Sequence, residues 1–154
     1  MITKAILAVA IAAPLALQVP RSLAAAQPAA GGCSLTVHVS GFRNHKGLVG
    51  GALYSSPDGW PENEDKAVTH TSHPISADKE VLNFEHLPPG RYGIVVLHDE
   101  NSNHRLDRNF LRVPKEGFGF ANNPHVALSA PAWKDASVEV SCPSTQVDIQ
   151  LIYK

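Results

Sequence analysis

The sequence has no stretch in which apolar residues repeat at the three- and four-residue spacing of an amphipathic helix, which argues against a helical fold. Its apolar residues instead alternate with polar ones in short segments, and glycine- and proline-containing turns separate these segments. Counting the segments gives seven to eight strands. The sequence therefore predicts one all-β domain, a single antiparallel β-sandwich of Greek-key or immunoglobulin-like type.

Motifs that would indicate an enzyme are also missing. There is no Gly-x-Ser-x-Gly turn and no apparent reactive cysteine, and the neighbouring residues His98 and Asp99 would point to opposite faces of a strand. We therefore expect no catalytic activity. An excess of basic residues, which would favour nucleic acid or an anionic membrane surface as a partner, is absent as well.

The first 26 residues have the features of a secretory signal peptide. Lys4 precedes an apolar run from Ala5 to Leu17, and small residues lead to an expected cleavage after Ala26. The run is shorter than the roughly 20 residues of a membrane-spanning helix. Residues 27–154 would then form the single domain, with no transmembrane segment, and removing two of the 13 basic residues leaves 11 against 14 acidic ones, a net charge of −3. We expect an exported protein, periplasmic or extracellular.

Only two cysteines are present, Cys33 and Cys142. In an exported protein they are expected to form a disulfide, which by closing so long a loop would contribute about 4–5 kcal/mol. Gly31 and Gly32 precede Cys33, which leaves lipidation of this cysteine as the alternative.

Several segments predict individual strands. Residues 35–40 and 47–54 are two strands that a short turn could join as a hairpin. Residues 68–75, 80–84, 138–140 and 147–153 are further candidates, and residues 87–97 give the strongest signal because apolar side chains occupy both faces. We expect this last segment to be a central strand. From residue 99 to 124 no periodic pattern remains, and a loop of that length favours a function.

Oxygen-bearing side chains recur at alternate positions directly after the central strand. Asp99, Asn101, Asn103 and Asp107 match positions one, three, five and nine of an EF-hand-like calcium loop, and the carbonyl of Arg105 falls at position seven. The sequence therefore predicts a possible calcium site here.

The match to a calcium loop is incomplete. Position twelve is Phe110, so the bidentate ligand would have to come from Glu116 or Glu100. With two charges among the matched side chains, we expect a weak site with a dissociation constant of about 10⁻⁴–10⁻³ M. The alternative is a loop stiffened by Asn and Asp hydrogen bonds without any ion. A further alternative is a copper or zinc site built from His98, His104 and His125, although no His-x-His pair supports it.

Four segments resemble the domain-of-unknown-function 2141 family of small exported bacterial proteins: the strand around Gly47, Leu87-Pro88-Pro89-Gly90-x-Tyr92, His98-Asp99-Glu100-Asn101-x-Asn103, and Pro114-Lys115-Glu116-Gly117-Phe118-Gly119-Phe120. The resemblance covers nearly all of residues 27–154 and implies a transthyretin-like or prealbumin-like sandwich, a fold of accessory and binding modules. The family usually has glycines where this chain has Ser102 and His104, and glycine at the sixth position of a calcium loop permits its sharp turn.

The expected function is thus a non-catalytic binding or structural module of the cell envelope, with a protein or glycan partner. Exposed aromatic residues on rim loops would suit carbohydrate or peptide binding.

Overall fold

The computed structural model describes residues 31–154, so the expected signal peptide, residues 1–26, lies outside the described residues. This part of the chain contains eight strands and two short 3-10 helices, Glu64–Lys66 and Trp133–Ala136. The strands are β1 (Cys33–Ser40), β2 (Leu48–Tyr54), β3 (Thr69–Pro74), β4 (Lys79–Leu87), β5 (Gly90–Asp99), β6 (Gly117–Phe120), β7 (Ser137–Val140) and β8 (Ser144–Gln150). Within residues 31–154, no helix has the length and hydrophobicity needed to cross a membrane.

The strands form two packed sheets, which confirms the predicted all-β sandwich and its number of strands. One sheet has the order β4-β1-β8, and the other has the order β3-β2-β5-β6, with β7 also paired to β5. The alternation in β1 explains how the sheets meet, since Leu35, Val37 and Val39 are fully buried and join one core cluster with Ile94 and Val96 of β5. Each such side chain stabilises the fold by about 1.5–3 kcal/mol on burial.

β5 is the central strand that its sequence predicted. It pairs with β2 along one side and with β6 and β7 along the other. Its second face is also covered, because Val95 packs against a separate apolar cluster that contains Phe118 and Phe120 of β6. A strand buried on both faces is a rigid support for the loop that follows Asp99.

The predicted hairpin between β1 and β2 is wrong. β1 pairs with β4 and β8, whereas β2 pairs with β3 and β5, so the two strands belong to different sheets. Residues 41–47 carry the chain across the sandwich instead. Gly47 ends this crossing with φ +74°, and a Cβ there would lie 1.9 Å from the carbonyl oxygen of Asp99. The crossing segment therefore packs directly against the start of the candidate loop.

The expectation of a wholly antiparallel sandwich also needs correction, because β1 and β8 run parallel from Ser34 beside Ser144 to Ser40 beside Gln150. The disulfide between Cys33 and Cys142 is present and confirms the expected pairing. It joins the residue that begins β1 to a residue just before β8, so the two strands start at the same end of the sheet. With its sulfur in this bond, Cys33 has no thiol left for lipidation.

The aperiodic region contains one strand that the sequence did not predict, β6. Its residues, Gly-Phe-Gly-Phe, are all buried. Both glycines are required by packing: a Cβ on Gly117 would lie 2.5 Å from the ring of Tyr153, and one on Gly119 would lie 2.7 Å from Ile149. The loop between β5 and β6 therefore covers residues 100–116, which is shorter than the aperiodic stretch of the sequence.

Candidate functional site

The candidate loop begins with Asp99, the last residue of β5, whose side chain is buried. Its two carboxylate oxygens accept hydrogen bonds from successive backbone amides, Oδ1 from the N–H of Asn103 at 3.1 Å and Oδ2 from the N–H of His104 at 2.7 Å. The carboxylate thus folds the following five residues around itself.

Asn101 and Asn103 continue the same pattern. The Oδ1 of Asn101 accepts from the N–H of Asn103 at 3.1 Å, and the Oδ1 of Asn103 accepts from the N–H of Arg105 at 2.9 Å. These are Asx turns, in which the side chain replaces a backbone turn acceptor. Ser102 and His104 take φ of 59° and 60°, so the loop forms its sharp turns without the glycines that are usual in the family.

Asp107 contacts the same loop through the amide groups of two asparagines. Its Oδ2 accepts from the Nδ2 of Asn101 at 2.7 Å, and its Oδ1 accepts from the Nδ2 of Asn103 at 3.1 Å. The two asparagine side chains therefore connect Asp107 to the turns formed after Asp99.

The side chain of Glu116 contacts both ends of the loop. Its buried carboxylate accepts the N–H of Glu100 at 3.0 Å and the N–H of Asp107 at 2.9 Å, which ties the two ends of the loop together. Because a carboxylate accepts charge-assisted hydrogen bonds from these amides, it fixes the spacing of the loop ends.

The structure brings five of the six predicted calcium ligands into one hydrogen-bonded loop through their side chains: Asp99, Asn101, Asn103, Asp107 and Glu116. The sixth, Arg105, donates its backbone N–H to Asn103 and has an exposed side chain. Across residues 31–154, no group of three or more His, Cys, Asp or Glu side chains is arranged as a metal-binding cluster. Any cation in the loop would therefore need asparagine or backbone oxygens in addition to the carboxylates.

A second polar cluster, which the sequence did not predict, lies beside the loop and is centred on Arg43. The guanidinium binds Glu100 in a bidentate manner, Nε to Oε1 and Nη2 to Oε2, both at 2.6 Å. It also donates to the carbonyl of Lys115 at 2.9 Å, and Asn44 donates to Glu100 at 2.8 Å. The hydrogen bonds from Arg43 are the main reason that the pKa of Glu100 falls to about 2. The side chain of Glu100 is thus held by a cation, and only the backbone N–H of this residue belongs to the loop's own network.

His98, on the opposite face of β5 from Asp99, is fully buried and both ring nitrogens have partners. Nε2 faces the carbonyl of Lys46 at 2.8 Å and must donate to it, so Nδ1 accepts from the hydroxyl of Tyr153 at 2.7 Å. The same hydroxyl accepts the N–H of Arg43 at 3.1 Å, and the guanidinium lies 4.7 Å from the centre of the tyrosine ring. A metal at His98 would have to replace one of these bonds.

A shallow pocket of about 260 Å³ lies where the two clusters meet, and every residue that lines it is charged or amide-bearing: Arg43, Lys46, Glu100, Asn101, Asp107, Lys115 and Glu116. A larger open groove of about 500 Å³ lies elsewhere, between β6 and the last residues of the chain, and shares none of the predicted loop ligands. The smaller pocket is the one that the candidate loop helps to build.

Among the comparisons with known proteins, a family model gave a match. A family model described as an uncharacterized protein conserved in bacteria (DUF2141) matches residues 37–148. The match covers well over half of the chain, so the protein belongs to this family, as the sequence resemblance predicted. Comparisons with curated proteins and with solved structures gave no significant match.

Proposed function

We propose that this protein is a non-catalytic binding module of the bacterial cell envelope and that its loop of residues 99–107 takes up a calcium ion. The observation that carries the proposal is the series of side-chain oxygens of Asp99, Asn101 and Asn103, each held in place by a backbone N–H further along the loop. Calcium loops use oxygens at these alternate positions.

The chemistry of the donors suits a hard cation. Each oxygen of Asp99 accepts one N–H bond and so keeps a lone pair, and the same holds for the Oδ1 atoms of Asn101 and Asn103. Asp99, Asp107 and Glu116 supply three negative charges close to the loop. The competing groups are the two amide Nδ2 donors on Asp107, which an ion would displace. This competition is a reason to expect weak affinity, about 10⁻⁴–10⁻³ M.

Two features support placement in the cell envelope. The disulfide between Cys33 and Cys142 fits an oxidising compartment, since such bonds are rare in the cytosol. The second is the expected signal peptide. The partner of such a module would be a protein or a glycan of the envelope.

Thermal unfolding with calcium, magnesium, zinc, copper or a chelator tests the proposal. With calcium at about ten times its dissociation constant, linkage gives about 1.4 kcal/mol, which corresponds to a rise in midpoint of about 3–6 °C. Asp99→Ala should abolish the rise. Because this variant also loses two backbone hydrogen bonds, Asp107→Asn is the sharper test: it removes one charge, keeps the side-chain shape and should remove most of the calcium response.

Asp78→Asn is the matched control, because its carboxylate is 94% exposed and lies outside the loop. It should leave the calcium response unchanged. If 10 mM calcium, an excess over the range expected for such sites, does not shift the midpoint, the loop is an ion-free structural element and the proposal fails. A zinc or copper response that disappears in His98→Ala would favour the histidine site instead.

A further inference from the structure

The second half of the loop between β5 and β6 exposes apolar side chains on an ordered turn. We call residues 108–114 the tip. Phe110 is 92% exposed and Leu111 is 67% exposed. Soluble proteins usually bury such neighbouring side chains or use them to contact a partner.

Hydrogen bonds within the tip fix the conformation of its backbone. The N–H of Asn109 donates to the carbonyl of Val113, and the N–H of Arg112 donates to the carbonyl of Asn109, both at 2.9 Å. The Oδ1 of Asn109 also accepts the N–H groups of Leu111 and Val113. The turn therefore holds Phe110 and Leu111 outward, away from the domain's own core.

Contacts at the base of the tip attach it to the domain. Arg108 forms a bidentate ion pair with Glu62, in the loop after β2, and bridges to Pro114 across the turn. Glu116, two residues beyond the tip, holds the preceding loop as described above. Phe110 and Leu111 are thus exposed on a turn whose base is anchored to the domain.

The charge around the tip is positive although the whole chain is slightly negative. Residues 105–115 contain four basic side chains, Arg105, Arg108, Arg112 and Lys115, and one acid, Asp107. Counting also Glu62, which pairs with Arg108, the local net charge is 4 − 2 = +2, against −1 for the chain. In the part of the chain that the structure describes, neither Arg105 nor Arg112 takes part in an ion pair.

We propose that the tip docks on an anionic phospholipid bilayer, with Phe110 and Leu111 inserted at the interface and Arg105 and Arg112 on the lipid phosphates. A projecting turn that carries an aromatic and an aliphatic residue fits a deformable interface, and the surrounding cations complement anionic headgroups. Docking adds a partner to the proposed module and does not require calcium, because the tip is shaped by its own hydrogen bonds.

Flotation of the purified protein with vesicles tests the inference. Vesicles of equal parts phosphatidylcholine and phosphatidylglycerol should bind the protein, whereas vesicles of phosphatidylcholine alone should bind it weakly. The double variant Phe110→Ser, Leu111→Ser should lose at least about tenfold in binding because it removes the inserted area. Arg112→Gln should lose about fivefold, and added salt should weaken binding of the unchanged protein.

Matched controls separate the tip from general surface properties. Leu128→Ser removes a fully exposed leucine outside the tip, and Lys134→Gln removes an exposed lysine outside it; both should bind like the unchanged protein. Any contribution from residues 1–26 is the same in every variant and cancels in these ratios. Running each assay with calcium and with chelator separates this inference from the calcium proposal, since docking should persist in chelator.

Phe110→Trp gives a second measurement that does not depend on losing binding. Its fluorescence should shift to shorter wavelength on anionic vesicles, beyond any change shown by the two native tryptophans of the unchanged protein. Absence of that shift, or equal binding of the double variant and the unchanged protein, would overturn the inference. So would sedimentation showing that the tip forms a dimer of this chain, with a loss of self-association and not of vesicle binding in the double variant.

Discussion

The loop between β5 and β6 has two halves of opposite character. In residues 99–107 the side chains of Asp99, Asn101, Asn103 and Asp107 are hydrogen-bonded to one another or to the backbone, and the Asp99 carboxylate is buried. In residues 108–114 the backbone is also fixed by hydrogen bonds, yet Phe110 and Leu111 are exposed to solvent. The usual distribution, apolar inside and polar outside, is thus reversed at Asp99 and at Phe110 and Leu111, whereas Asn101 and Asn103 are exposed as polar residues usually are.

The difference indicates that both halves have a hydrogen-bonded backbone but contribute differently to the stability of the fold. The polar half stabilises itself through hydrogen bonds to charged groups, which are among the stronger ones in proteins. The apolar half gains nothing from burial in the free protein. We therefore expect substitutions in or beside the first half to change folding, and substitutions in the second half to change binding alone.

Glu116→Ala should have the largest effect on stability. It leaves the N–H groups of Glu100 and Asp107 without their acceptor and should lower the free energy of unfolding by about 2–3 kcal/mol. Chemical denaturation measures this loss, and Glu139→Ala, on an exposed position of β7, is the control. A change in the free energy of unfolding below about 0.5 kcal/mol would show that the hydrogen bonds of Glu116 do not support residues 99–107.

Arg43→Gln should have an intermediate effect that depends on pH. The pKa of Glu100 is held at about 2, below its ordinary value of 4.5, mainly by the hydrogen bonds from Arg43. A carboxyl with a lowered pKa in the folded state stabilises the protein above the unfolded pKa, and this contribution disappears as pH falls toward the folded pKa. We expect a difference of about 1 kcal/mol at neutral pH, since the guanidinium is partly exposed.

The difference between Arg43→Gln and the unchanged protein should therefore shrink between pH 4.5 and about 2. Glu80, whose pKa is also near 2 because hydrogen bonds from the Ser76 and Ala77 amides and from His73 outweigh its burial, contributes equally to both proteins and cancels. A difference that stays constant down to pH 2 would contradict the role given to this pair.

The double variant Phe110→Ser, Leu111→Ser should have the smallest effect on folding, below about 0.5 kcal/mol, because neither side chain is buried. The same denaturation experiment measures it. A clear loss of stability would mean that the tip packs against the domain in solution, and the contrast between the two halves would then fail.

The sequence predicted the fold where local pattern decides it and failed where distant segments meet. β5 was recognisable because apolar residues occupy both of its faces, and β1 because its alternation is regular. The pattern of β1 and β2 does not reveal which sheet each strand joins, so the hairpin was wrong. β6 was not predicted because two of its four residues are glycines. Tyr153 and Ile149, which are distant in sequence, leave no room for a side chain at these two positions.

The same contrast between local patterns and contacts of distant segments applies to the candidate site. The alternation of Asp99, Asn101 and Asn103 is local and predicted the turn-forming loop. Arg43 and Tyr153 carry no local signal, since Arg43 lies 57 residues from Glu100 and Tyr153 lies 55 residues from His98. Whether an ion binds in the loop stays a prediction, because it depends on the balance between the amide donors on Asp107 and a cation.

The cross-link between the first and last strands bears on how this protein would respond to proteases. Cleavage at one place between Cys33 and Cys142, for example at an exposed arginine of the tip, leaves two pieces still joined by the disulfide. The nicked molecule would keep its core strands together and would migrate as two fragments only after reduction. Damage to the exposed turn and loss of the folded domain are therefore separate events in an oxidising environment.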